Sequence, residues 1–108
     1  MSVNTPRIFS QLKPAAGNTA LLYTVSTNTR AQVTMFVCNQ TASVEFFRIA
    51  LVQSGSGLTD ARYIAFDSPL AGNGVFSVAG IGLNEGDSIY VRSTSGNLSF
   101  TATGIQLS

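Results

Sequence analysis

Few side chains in this sequence could do chemistry, and they form no recognisable catalytic set. There is no histidine, so a serine or cysteine nucleophile lacks its usual general base. A glycosidase would need two carboxyl groups about 5–10 Å apart across one groove. Glu85 and Asp87 flank Gly86 in a turn-like segment and are interpreted as solvated turn acids, and Asp67, before a Ser-Pro pair, as a turn-capping side chain. We therefore expect no enzyme and assign no catalytic residue.

Metal binding and redox chemistry have equally little support among these residues. Calcium held by Asp60, Asp87 or Asn97 stays an open alternative, although the sequence lacks the density of acidic residues typical of calcium loops. Cys38 is the single cysteine, so it can form neither an intrachain disulfide nor a zinc cluster. Its apolar, strand-like surroundings predict a buried free thiol, with an intersubunit disulfide or a reactive thiol as the alternative. We predict no metal ligand and no cofactor.

Two glycine pairs and three aromatic rings are the remaining candidates for ligand binding. Residues 72–74 (Gly-Asn-Gly) and 80–82 (Gly-Ile-Gly) precede no predicted helix. They are interpreted as turn or bulge glycines rather than as a phosphate-binding loop. Tyr63, Phe66 and Tyr90 could stack on sugars, as in carbohydrate-binding modules, or pack in the core or in an interface.

Charge is the property in which this sequence departs most from an ordinary soluble domain. Charged residues make up 10% of its 108 residues, and the net charge is +1; a typical domain is about 25% charged. There is no basic stripe to neutralise phosphates or to hold a membrane surface, so we expect no binding to nucleic acid or membrane. No apolar run approaches the ~20 residues of a membrane helix, and the N-terminus lacks the layout of a signal peptide. We expect synthesis and folding in a reducing cytoplasm.

The elements that must position these residues are predicted to be strands. From Thr19 onward, turn-forming residues recur about every 8–12 residues, the spacing of a sandwich or barrel. Alternation is clearest in residues 30–39, where Val33, Met35 and Val37 share one face. The predicted strands are residues 19–26, 30–39, 43–52, 62–67, 75–79, 88–93 and 98–106. The fold predicted is therefore all-β, an antiparallel, jelly-roll-like β-sandwich of seven or eight short strands.

Two local signals make sharper predictions about the connections. Asn73 and Gly74 form a dipeptide that favours a β-hairpin. Thr59 is expected to cap one helical turn that begins at Asp60.

The N-terminal segment is predicted to be an extended arm and linker (residues 1–18) before a single sandwich domain (residues 19–108). Its apolar side chains need burial somewhere, and Pro6 and Pro14 separate them from the regular strands. We predict that the arm contacts a partner, and the alternative is an edge strand of the chain's own sheet. The predicted partner-contact residues are Arg7, Ile8, Phe9 and Leu12.

Several strand and turn segments together resemble a family of small β-sandwich proteins encoded by tailed bacteriophages. Ser26 stands where this family usually has proline. The segments span nearly the whole chain and specify a fold better than a role. They are residues 23–31 (YTVSTNTRA), 37–40 (VCNQ), 47–50 (FRIA), 63–67 (YIAFD), 83–87 (LNEGD) and 96–100 (GNLSF).

The resemblance implies a structural protein of the virion, made in the bacterial host cytoplasm. The expected role is capsid decoration (cement), in which the protein binds the outer shell and bridges neighbouring subunits. Its implied partners are further copies of itself, with a trimer favoured, and the major capsid protein or another virion protein. The alternative is a tail, collar or fibre-associated protein, including a glycan-binding adhesin module.

Overall fold

The computed structural model describes residues 4–107 and confirms the all-β prediction. Eight strands form two antiparallel sheets packed around one hydrophobic core. A short 3₁₀ turn spans Asp60–Arg62, and none of the helical structure within residues 4–107 is long and apolar enough to cross a membrane. The strands are β1 (Asn4–Leu12), β2 (Ala20–Thr24), β3 (Arg30–Asn39), β4 (Glu45–Val52), β5 (Tyr63–Leu70), β6 (Val75–Leu83), β7 (Ser88–Ser93) and β8 (Leu98–Leu107).

The strand order identifies the sandwich as a jelly roll. The first sheet has the order β1-β8-β3-β6, and the second sheet has the order β2-β7-β4-β5. The antiparallel pairs β1–β8, β2–β7, β3–β6 and β4–β5 are nested, as if one long hairpin had been rolled up. The pairs β3–β8 and β4–β7 then complete the two sheets. This nesting of eight strands in two sheets is the jelly-roll arrangement.

Alternation of apolar side chains builds the core as the sequence predicts. In β3, Val33, Met35 and Val37 are buried, whereas Phe36 between them is exposed. Successive side chains of a strand point to opposite faces, so one face of β3 meets the second sheet and the other meets solvent. The largest fully buried apolar side chains are Phe47, Phe100, Met35, Ile49, Ile89, Leu98, Val33, Val37 and Val91.

β6 is longer than predicted, because it continues to Leu83 instead of ending at Ala79. Gly80 has a φ of 78° and forms a bulge where the pairing with β3 shifts. A glycine without Cβ adopts this left-handed conformation at little cost, so the strand bends there and goes on.

The two connection-level predictions are correct about a turn at residues 73–74 and about a helical turn that begins at Asp60, but each is wrong in one respect. Asn73 and Gly74 do lie in a turn, in which the Gly74 N–H donates to the Ala71 carbonyl at 2.9 Å. The turn joins β5 to β6, which belong to opposite sheets, so it is a crossover and not a hairpin. Thr59 stands at the N-cap position of the 3₁₀ turn, but its side chain makes no capping hydrogen bond.

The predicted arm contains β1, the edge strand of the first sheet. β1 pairs antiparallel with β8 from Asn4 opposite Leu107 to Leu12 opposite Phe100. This is the edge-strand alternative, and Pro6 is compatible with it because the outer side of an edge strand needs no backbone donor. Residues 1–3 of the predicted arm lie outside the described residues.

Candidate interaction surfaces

The structure separates the four predicted partner-contact residues into two environments. Phe9 is buried in the core, and Leu12 packs against the core while partly exposed. Ile8 is 60% exposed, and the exposed Arg7 donates from Nη1 to Oε1 of Gln106 at 2.6 Å. Ile8 and Arg7 are therefore accessible to a partner, whereas Phe9 and Leu12 stabilise the chain's own fold.

The outer face of the first sheet carries almost no charge, and we refer to it as the uncharged face. The four strands of this sheet contain two charged residues, Arg7 and Arg30, the latter at the beginning of β3. The rest of the face presents threonine, serine and glutamine between large apolar side chains. Those exposed apolar side chains are Ile8, Phe36, Val75 and Ile105.

The strand register places these side chains on one surface. Residues directly opposite each other on paired strands share a face of the sheet. Thr103 of β8 is opposite both Ile8 of β1 and Thr34 of β3. Ile105 is opposite Gln32 in the same way. The uncharged face therefore extends across three neighbouring strands without interruption.

Two shallow hollows lie on this face, and glycines line both of them. The first, of about 170 Å³, is lined by Gly80 and Gly104. The second, of about 320 Å³, is lined by Gly82 and by Arg30 at the end of the face, and Gln32 borders both. Small-molecule pockets have volumes of roughly 300–1,000 Å³, so these hollows are at or below the lower limit. They suit protruding side chains of a protein partner better than an enclosed small molecule.

Cys38 lies on the uncharged face rather than in the core, which corrects the predicted burial. Its free thiol is half-buried. It is opposite Val75 of β6 and Ser99 of β8, on the outward alternation of β3. The neighbouring Val37 takes the core position instead. The alternative of an intersubunit disulfide stays a prediction.

The outer face of the second sheet has a different character and carries an arginine cluster, formed by Arg48, Tyr63, Phe66, Asp67 and Arg92. Arg48 donates to the two carboxylate oxygens of Asp67, from Nε at 2.7 Å and from Nη2 at 3.0 Å. Its guanidinium carbon lies 3.8 Å from the centre of the Phe66 ring. Tyr63 meets Phe66 edge to face, with the ring centres 5.1 Å apart.

The electrostatics of the arginine cluster are those of an ion pair at the surface. The hydrogen bonds from Arg48 hold the pKa of Asp67 below its ordinary value, and the same hydrogen bonds raise the pKa of Arg48. Asp67 lies within β5. The prediction that its side chain caps a turn is therefore wrong. The Asp67 φ of 49° falls where β5 is irregularly paired with β4, opposite Arg48.

Glu85 and Asp87 are turn residues, as predicted, and their carboxylates accept backbone N–H groups. The Asp87 carboxylate accepts the backbone N–H groups of Ser54 and Asn84, both at 2.9 Å. Glu85 accepts the N–H of Asn28 at 2.6 Å.

The residues named for calcium lie in three different connections. Asp60 begins the 3₁₀ turn, Asp87 precedes β7, and Asn97 precedes β8. Among residues 4–107, no three or more histidine, cysteine, aspartate or glutamate side chains are grouped in a way that could hold a metal ion.

Sequence reasoning singled out Tyr63, Phe66 and Asp67 separately, but it missed Arg48 and Arg92. The two arginines are directly opposite each other on β4 and β7. Each occupies an outward position between apolar inward neighbours, Phe47 and Ile49 beside Arg48 and Val91 beside Arg92, and that alternation is the signal that could have found them. Tyr90, also on β7, is half-buried opposite Ala50.

Comparison with protein-family models and with curated proteins identifies no relative of this chain. No protein-family model matches the chain, and no curated protein matches it at a significant level. Its function is therefore inferred from its own residues.

Proposed function

We propose that this protein is a structural virion protein of a tailed bacteriophage, a capsid decoration protein that binds the outer shell and bridges neighbouring capsid subunits. The observation that carries the proposal is the uncharged face. This face contains exposed apolar side chains from several strands. Its charged residue, Arg30, lies at one end, where β3 begins.

Physical chemistry favours such a surface for permanent assembly. Burying a charge in an interface requires its removal from water, which costs several kcal/mol unless a well-placed partner compensates. Threonine and serine can satisfy their hydroxyl groups with a neighbouring backbone, and Ile8, Val75 and Ile105 gain free energy when covered. A partner seated here would be held mainly by contacts that salt does not screen.

The resemblance and the topology give weaker support. Jelly rolls occur in viral capsid proteins, but also in lectin domains and cupins. Because one fold serves many functions, the role has to be argued from the surface. In the proposed assembly the protein is a homo-oligomer, with a trimer favoured. Ile8 and Arg7 contact the major capsid protein or another virion protein.

The alternative is a tail, collar or fibre-associated protein, and copy number distinguishes it from a decoration protein. A decoration protein is present in many copies on the head, whereas a fibre-associated protein is present in few copies at the tail. Electron microscopy of intact particles, with the protein labelled, separates the two locations directly.

The proposed contact is tested by filling the larger hollow. A Cβ on Gly82 would meet no atom within 4 Å, and Gly82 does not have a left-handed backbone, so Gly82→Arg should fold normally. Its side chain would fill the hollow and add a second positive charge beside Arg30. We expect this variant to melt like the wild type and to lose co-sedimentation with particles that lack the protein.

Gly57→Arg is the matched control, because Gly57 has equally open surroundings in the β4–β5 connection. It adds the same charge away from the uncharged face and should bind particles like the wild type. If Gly82→Arg binds as well as Gly57→Arg does, the uncharged face is not the contact. If the wild-type chain is found on no particle, the virion proposal itself is wrong.

A further inference from the structure

The arginine cluster contains a positive charge that the described chain does not neutralise. Arg48 and Arg92 are directly opposite each other on paired strands, and like charges in that position destabilise a sheet. Asp67 is bound by Arg48 in a two-pronged ion pair. It approaches Arg92 only to 3.9 Å. Two guanidinium groups against one carboxylate leave one net positive charge at this surface.

Arg92 also has terminal N–H donors that no described residue accepts. Its Nε donates to the carbonyl of Gly17 at 3.2 Å, which fixes the orientation of the guanidinium group. Over residues 4–107, its two terminal nitrogens make no hydrogen bond, and the side chain is 25% exposed. A planar guanidinium with free donors matches the geometry of a carboxylate.

Phe66 presents an aromatic surface beside this charge. The Arg48 guanidinium carbon lies 3.8 Å from the centre of the ring, and the Tyr63 ring packs against it edge to face. Phe66 is nevertheless 51% exposed, so much of its surface is accessible to a ligand. Because an ion-paired arginine and a second ring both pack against it, the side chain has little rotamer freedom to lose on binding.

We propose that the arginine cluster binds an acidic saccharide, with its carboxylate on the free donors of Arg92 and its sugar ring against the exposed surface of Phe66. The negatively polarised face of an aromatic ring attracts the C–H bonds along one side of a pyranose. One net positive charge matches one carboxylate per sugar and is too little for a row of phosphates. This activity is independent of the proposed structural role, because the cluster and the uncharged face lie on opposite sheets.

The test is a titration of the ¹⁵N-labelled protein, followed by NMR, with a trisaccharide of galacturonic acid. We expect the amide signals of Arg48, Phe66 and Arg92 to shift. Neutral galactotriose should bind about tenfold more weakly, which is the effect of losing one charge-assisted interaction. Arg92→Gln should weaken binding of the acidic sugar by about tenfold, Arg92→Lys should weaken it less, and Phe66→Leu should weaken both sugars.

Arg30→Gln is the matched control, since it removes an arginine from the opposite sheet and should leave binding unchanged. Melting curves of each variant show whether it is folded. The proposal is overturned if the acidic trisaccharide shifts no signal of the cluster, or if a folded Arg92→Gln variant binds like the wild type. Equally strong binding of a tri-glutamate peptide would also overturn it, because the surface would then recognise carboxylates without a sugar ring.

Discussion

At the scale of single residues, Asn39 is the side chain with the most demanding environment. It is a buried polar residue at the end of β3. Its Nδ2 donates to the carbonyl groups of Ser43, Leu70 and Ala71, at 2.8, 3.1 and 3.2 Å. Its Oδ1 accepts the Thr41 N–H at 3.0 Å and the Thr41 hydroxyl at 2.8 Å. One amide therefore joins the β3–β4 connection to the end of β5.

Replacing this amide with a carboxylate should be strongly destabilising. In Asn39→Asp, a carboxylate oxygen would replace Nδ2 and face three backbone carbonyl groups. Thr41 would still donate to the other oxygen, but the oxygen in the Nδ2 position would be a buried, charged acceptor without a donor. We expect the free energy of unfolding at neutral pH to fall by at least about 2 kcal/mol, measured by urea denaturation.

Asn84→Asp is the control for this prediction. Asn84 is exposed and uses its side-chain oxygen to accept the Glu85 N–H, a role that a carboxylate also fills. The free energy of unfolding of the Asn84→Asp variant should stay within about 0.5 kcal/mol of the wild-type value. Equal losses in the two variants would contradict the role assigned to Asn39.

At the scale of secondary-structure elements, β1 is an edge strand that also carries part of the proposed contact surface. Ile8 and Phe9 are neighbours in the chain, yet Phe9 is buried with its ring centre 5.0 Å from that of Tyr23, and Ile8 is exposed. The bulge in the β1–β8 pairing lies between Ile8 and Ser10. Consecutive residues of one strand therefore have opposite roles, one in folding and one in contact.

Alanine substitutions at these two neighbours should separate the roles. Phe9→Ala removes a ring from the core and should lower the free energy of unfolding by about 3 kcal/mol. Ile8→Ala should change it by no more than about 0.5 kcal/mol and should weaken co-sedimentation with particles. Chemical denaturation of both variants checks the first expectation. If Phe9→Ala is as stable as Ile8→Ala, then β1 docks elsewhere than in its own sheet.

At the scale of the whole molecule, the few charges are divided unequally between the two sheets. The strands of the first sheet carry Arg7 and Arg30, near its margins. The strands of the second sheet carry Glu45 and the three charged residues of the arginine cluster. One side of the sandwich is therefore suited to a protein interface that excludes water, and the other is suited to binding a charged ligand from solution.

This distribution predicts how self-association responds to salt. We expect the isolated protein to be a homo-oligomer whose mass is the same in low salt and in about 0.5 M salt, where charges are screened within a few ångströms. Sedimentation velocity at both salt concentrations measures this mass. A monomer throughout the micromolar range would refute the prediction, and dissociation in high salt would assign the contact to charged residues instead.

The fold class and most of the strands are encoded in the sequence as local patterns. Residues 30–39 and 88–93 were predicted with the boundaries that β3 and β7 have. The alternation predicted for residues 30–39 is also correct, since Val33, Met35 and Val37 are buried in the core. These predictions succeed because alternation and turn chemistry are local properties, encoded within about ten neighbouring residues.

Strand pairing and contacts between distant side chains depend on the tertiary structure. The turn at Asn73 and Gly74 is a crossover between sheets, and the predicted arm contains β1. Arg48 lies opposite Arg92 on a paired strand. Pairing depends on how two sheets bury their apolar faces against each other, and that balance involves residues far apart in the chain. Local pattern therefore specifies the strands, while the packing of the whole sandwich creates both candidate surfaces.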